Sequence, residues 1–89
     1  MQPNSLSLLR SPAARAVYGN LPTSTWHEWI AAGLMVPGVP IGARSVAYPH
    51  HELQAIAAAR IAGKSDSEIK ALVQELVAAR ATLADKVAA

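Results

Sequence analysis

Cysteine is absent from the 89 residues. No disulfide can staple the fold, and neither a thiolate metal site nor a thiol nucleophile is available. Phenylalanine is absent too, and aromatic residues make up only 4% of the chain. A core must therefore be built from Leu, Ile, Val and Ala around Trp26, Trp29, Tyr18 and Tyr48. No apolar run approaches the roughly 20 residues that a membrane helix needs. The opening stretch MQPNSLSLLR has no basic lead and no long apolar centre, so it does not read as a signal peptide. No membrane partner and a cytoplasmic location are expected. Acidic side chains are scarce, six against eight Lys and Arg, which gives a net charge of +2. That is a mild basic lean, far from the charge density of a histone-like protein. It is uneven. Residues 1–64 carry Arg10, Arg15, Arg44, Arg60 and Lys64 against Glu28 and Glu52, a balance of +3. Residues 65–89 carry Lys70, Arg80 and Lys86 against Asp66, Glu68, Glu75 and Asp85, a balance of −1. A polyanion would bind the first part.

What is present fits one domain over residues 1–89. A chain of this size buries roughly 60–65% of its unfolded surface, enough for a modest core. Residues 1–5 are expected to be disordered. Leu6, Leu8 and Leu9 suit a short strand or an apolar lead-in. SPAARAVYG, residues 11–19, reads as a helix, with Ser11 as N-cap, Pro12 at the first helical position and Gly19 at the left-handed exit. Ala14, Val17 and Tyr18 fall on one side of it. NLPTSTWHEWI then starts a second helix at Pro22 or the hydroxyls after it, with Thr25 and Glu28 as a capping box and Gly33 as its end. Two short helices separated by GNLP have helix-turn-helix dimensions.

Pro37, Gly38, Pro40 and Gly42 exclude helix from the next segment. Val39 to Ile41, a turn at residues 42–44, and Ser45 to Tyr48 read as a hairpin of edge strands. Pro49 opens a third helix that Gly63 closes, with Leu53, Ile56, Ala57 and Arg60 on one side. Ser65 and Glu68 form a capping box for a fourth helix to about residue 87. Its stripe is Ile69, Leu72, Leu76, Ala79 and Leu83, with Val73 and Val87 beside it. Asp66 and Lys70 are spaced for an ion pair, and Lys86 suits the far end of the helix dipole. The division is thus a core of residues 6–64 and a C-terminal helix over 65–89. The fold class is mainly α with a small β-hairpin wing: a winged helix-turn-helix plus a C-terminal helix.

Catalysis finds little support. No serine sits in a strand-turn-helix elbow, and most carboxylates stand where capping accounts for them. No catalytic residue and no cofactor is expected. His50 and His51 are adjacent and point about 100° apart on a helix. No H-x-x-x-H pairing exists, so no metal site is expected. Trp26 and Trp29 share a helix face with Ile30, and core packing is expected for both, for Trp29 ahead of Trp26. Thr23, Ser24, Thr25 and His27 are then left facing outward. Helix-turn-helix proteins touch base edges with that part of the second helix. Hydroxyls bond bases or phosphates, and a threonine methyl can touch thymine. Free backbone N–H groups there suit phosphate. Arg44 at the hairpin tip, with Ser45 beside it, suits a minor groove or backbone; Arg15 and Arg10 flank.

The order of these motifs resembles the AlpA-type and excisionase-type winged-helix proteins, relatives of the MerR DNA-binding module. The resemblance runs over about residues 8–80. Its pieces are Leu8-Leu9-Arg10, NLPTSTWHEWIAAGLMV, PIGARSVAYPHHEL and RIAGKSDSEIKALV. It implies that the second helix enters the major groove through Thr23, Ser24, Thr25 and His27. It implies a wing of Gly42, Ala43, Arg44 and Ser45 beside it. It further implies cooperative head-to-tail self-association on double-stranded DNA at an attachment site, DNA bending, and a tyrosine integrase as partner. The nearest likeness is to recombination directionality factors of integrative and conjugative elements of the rhizobial symbiosis-island type. An AlpA-like transcription regulator at a promoter is the alternative. A helical protein-interaction module that never touches DNA is a third reading.

Overall fold

Proline and glycine mark almost every boundary in the computed structural model, which describes residues 6–88 and side chains through residue 83. The expectations for residues 1–5, Lys86 and Val87 lie outside that description. The element order is β1 (Leu8–Leu9), α1 (Ser11–Ala16), α2 (Thr23–Ala31), β2 (Val39–Pro40), β3 (Val46–Pro49), α3 (His50–Ile61) and α4 (Asp66–Ala88). The protein is mainly helical, with a small antiparallel sheet of order β1-β3-β2. Among the described residues, no helix is long and apolar enough to cross a membrane.

Two of the three strands form a hairpin. Val39 pairs with Ala47 and Pro40 with Val46, and Ile41 N–H donates to the Ser45 carbonyl at 2.9 Å. Pro40 has no N–H to offer, and it stands in β2, an edge strand where none is needed. Gly38 suits a close approach of the strands: a Cβ there would meet Val46 Cβ at 3.0 Å. The lead-in is a strand. Leu8 pairs with Pro49 and Leu9 with Tyr48 on the other side of β3, so β3 is the central strand.

Helix limits follow local chemistry, with two corrections. Arg10, not Ser11, is the N-cap of α1, which ends at Ala16 rather than Gly19. Residues 17–19 tighten into bonds to the carbonyls three positions back, and Gly19 takes the expected left-handed φ, 76°, followed by Asn20 at 65°. The N–H groups of Asn20 and Leu21 fold back onto the Arg15 carbonyl. The Thr25–Glu28 capping box does not form. Pro22 is the N-cap, no side chain caps the helix, and the Trp26 N–H bonds the Pro22 carbonyl at 3.0 Å. Thr25 is thus the third residue of α2 and Glu28 the sixth. The end is as expected: Gly33 takes φ 79°. In α4 the capping box is present in full. Ser65 N–H donates to Glu68 Oε1 at 2.9 Å, and Glu68 N–H to Ser65 Oγ at 3.2 Å. These two bonds hold the Glu68 carboxyl below its usual pKa.

One core joins all parts. Ala14, Trp26, Met35, Val36, Tyr48, Leu53, Ile56, Ile69 and Val73 are its buried members. Ile69 and Val73 come from α4, so the C-terminal helix contributes to the same core as residues 6–64. Leu72 and Leu76 are half-buried, whereas Ala79 is exposed. Leu83, the last of the stripe, is half-buried again, so the stripe is interrupted at Ala79.

The expected Asp66–Lys70 pair is not formed. Among the described residues, the ion pair within 4 Å joins Arg80 to Glu52. Arg80 Nε donates to Glu52 Oε2 at 2.9 Å and Nη2 to Oε1 at 2.6 Å, a two-pronged contact to a fully buried carboxylate. Nη2 also donates to the Pro37 carbonyl at 2.9 Å. One guanidinium therefore ties α4 to the start of α3 and to the root of the hairpin.

Candidate nucleic-acid interface

The site is set by how α2 is rolled. Trp26 is fully buried. Its ring meets Tyr48 of β3 edge-on at 5.2 Å and Tyr18 at 6.0 Å. That order reverses the expectation for the two tryptophans, since Trp29 is only half-buried. Trp29 lies at the margin, edge-on to Tyr18 at 6.0 Å and covered by the Arg60 guanidinium 4.2 Å above its ring. The helix is thereby pinned at two points by groups from β3, α3 and the segment after α1.

With Trp26 inward, a 100° step per residue places Ser24, His27, Glu28 and Ala31 within an arc of about 100° on the opposite side. All four are exposed. Thr23 is also exposed, and Thr25 is half-buried. The N–H groups of Thr23, Ser24 and Thr25 precede the first intrahelical bond and receive no side-chain cap. Three free donors and the positive end of a nine-residue helix thus sit beside two exposed hydroxyl side chains. No acidic residue lies in this first turn.

No known protein-family model matches the chain, and no curated protein or solved structure matches it either.

The other expected contact residues fall in different situations. Arg44 is exposed at the hairpin tip with Gly42 and Ala43; Ser45 is half-buried and closes the turn through its carbonyl. Arg10 is exposed at the start of α1. Arg15 is half-buried and engaged by the protein itself. Its Nε donates to Ser11 Oγ at 3.2 Å and its Nη1 to the Leu21 carbonyl at 2.9 Å. It braces the turn between α1 and α2. Among the described residues no group of three His, Asp or Glu is placed to hold a metal ion. A groove of about 320 Å³, lined in part by Leu6, Leu8, Val39 and Leu83, opens elsewhere, and no residue of α2 or of the hairpin tip lines it.

Three supporting residues have partners that no local pattern gives. The sequence puts Tyr18 beside Ala14 and Val17, Arg60 beside Leu53, Ile56 and Ala57, and Glu52 near a helix start, without saying what any of them touches. Tyr18 Oη donates to the Leu53 carbonyl at 2.5 Å. Burial pushes its pKa up to about 12, against a smaller opposing influence of the Arg60 charge. The hydroxyl is thus held neutral in the folded state while the unfolded one ionises near pH 10. Its stabilising contribution is whole below about pH 10 and is lost as pH rises toward about 12. Urea unfolding of the wild type and Tyr18→Phe from pH 8 to 12 should show the stability difference narrowing over that window. A difference constant across it would mean that the hydroxyl is not buried.

Proposed function

We propose that this protein is a sequence-specific, architectural DNA-binding protein of winged helix-turn-helix type. In this reading α1 and α2 are the helix-turn-helix, α2 is the recognition helix and the β2–β3 hairpin is the wing. One observation carries the reading: Trp26 is locked inward, so an uncapped, hydroxyl-bearing helix start faces outward. Short polar side chains let backbone N–H groups approach phosphate closely. Ser24 and His27 reach base edges, and the Thr23 methyl suits thymine. Arg44 supplies charge from the hairpin, and Arg10 supplies it from the start of α1. No residue has a role in bond making or breaking.

The motif order described above favours a recombination directionality factor. Such a protein occupies attachment-site DNA as a head-to-tail array, bends it, and biases a tyrosine integrase toward excision. Few cations per copy suit this mode, because weak individual contacts add along the array. The AlpA-like alternative would use the same surface at a promoter.

The test is a gel shift on long and short duplexes carrying the element's attachment site, with and without its integrase. A ladder of complexes that lengthens with the duplex is expected. Each phosphate contact should contribute about −0.9 to the slope of log K against log salt. Arg44→Ala should weaken binding to all sequences, whereas Ser24→Ala or Thr23→Ala should change which sequence is preferred. A single complex at every duplex length would refute the array. Wild-type binding by all three variants would refute the surface.

A further inference from the structure

Glu28 has no part in the interface proposed above. It stands on the second turn of α2, on the same outward arc as Ser24 and His27, exposed to solvent. It makes no side-chain hydrogen bond or ion pair with any described residue; the ion pair of the described chain lies between Arg80 and Glu52. Residues 1–64 hold one other carboxylate, Glu52, and that one is buried against Arg80. Capping does not account for Glu28, because α2 begins at Thr23. Packing does not either, because the side chain is outside. An anion at this place works against a polyanionic partner, since it repels the phosphates that flank a groove.

The chemistry of the group suggests what offsets that cost. A carboxylate only accepts hydrogen bonds. In the major groove the donors are the N4 amino group of cytosine and the N6 amino group of adenine. Guanine offers O6 and N7, and thymine offers O4, all acceptors. Set against an amino group, Glu28 makes a charge-assisted bond. Set against O6 or O4, it places acceptor on acceptor with phosphates on both sides. Discrimination then comes from repulsion of the wrong base as much as from attraction to the right one.

Resting on the DNA-binding reading above, we propose that Glu28 is a specificity-determining residue. It lowers affinity for DNA in general and restricts the sites bound to those presenting a cytosine or adenine amino group opposite the second turn of α2. Ser24, one turn earlier on the same row, and His27 beside it complete the reading face. The low cation count of the chain and this carboxylate act in the same direction, toward weak general binding and sharp selection.

The test uses the full chain as wild type, Glu28→Ala and Glu28→Gln, with a randomised duplex library as the probe. The sequence each protein selects is then compared with a scrambled duplex of equal composition by fluorescence anisotropy. Glu28→Ala removes an exposed side chain and Glu28→Gln only its charge, and matching thermal melts establish that both fold. The wild type is expected to select C or A at one position where Glu28→Ala becomes indifferent. Affinity for the scrambled duplex should rise, and the ratio of selected to scrambled binding should fall about 5- to 100-fold. If both affinities rise by one factor and the selected sequence is unchanged, Glu28 acts only as a distant charge and the proposal fails. Unchanged affinities overturn it equally. If the wild type and both variants select nothing from the library, the whole interface falls with it, a result distinct from those two.

Discussion

Arg80→Met is expected to cost about 3–5 kcal/mol of folding free energy, because it leaves a fully buried carboxylate with no partner. Glu52 lies at 0% exposure, and both of its oxygens bond the same guanidinium. Methionine fills much of the volume of the arginine stem, so lost packing is a small part of the change. A domain of this size has a total stability of only about 5–15 kcal/mol, so the variant should sit near the edge of folding. The double variant Glu52→Leu with Arg80→Met removes both charges and should recover most of the loss, since an apolar pair of similar size often replaces a buried ion pair without penalty. Urea denaturation of wild type, both single variants and the double variant gives the full cycle. A cost under about 1 kcal/mol for Arg80→Met would mean that the pair is solvated and of the weak surface kind.

Trp26→Ala should be comparably damaging, at about 3–5 kcal/mol. The indole fills the centre of the core between Tyr18 and Tyr48, and no small residue can close the space it leaves. Trp26→Phe should be far milder. It keeps an aromatic face for both tyrosines, and it removes an indole N–H that is buried without a protein acceptor, a group whose burial itself carries a cost. The same substitutions at Trp29 should rank lower, because that ring is half-buried and packs under a guanidinium rather than inside the core. If Trp26→Ala and Trp29→Ala destabilise equally, the roll of α2 described above is wrong, and the arc of Ser24, His27 and Glu28 moves with it.

Local chemistry made much of this fold legible. Ser65 and Glu68 announce the start of α4 because a capping box is built from residues three apart. Gly33 announces the end of α2 because only a residue free to take positive φ closes a helix that way. The hairpin is visible because Pro37, Gly38, Pro40 and Gly42 leave no helical alternative. The failures are also physical. Thr25 and Glu28 have the spacing of a capping box, but Pro22 lets the helix begin three residues earlier, which carries Thr25 inside it. Which of two tryptophans at i and i+3 lies deeper depends on what packs against them, and Tyr48 lies 22 positions from Trp26. Glu52 and Arg80 are 28 apart, and Arg60 and Trp29 are 31 apart; no local pattern announces such pairs. The outward placement of Thr23, Ser24 and His27 was legible because it needed only the face of the indoles. The commitment of Arg15 to Ser11 and Leu21 was not, because it depends on how the chain folds back after α1.

The Arg80 bond to the Pro37 carbonyl bears on how deletions of this chain are to be interpreted. Trimming the protein after the α3–α4 turn would remove Ile69 and Val73 from the core together with Arg80. It would free the base of the hairpin and unseat the start of α3 in one step. A shortened protein that fails to bind DNA would therefore say nothing about the proposed cooperativity. Point changes on the far side of α4, with Arg80 left in place, are the way to separate assembly from the angle at which the hairpin is presented.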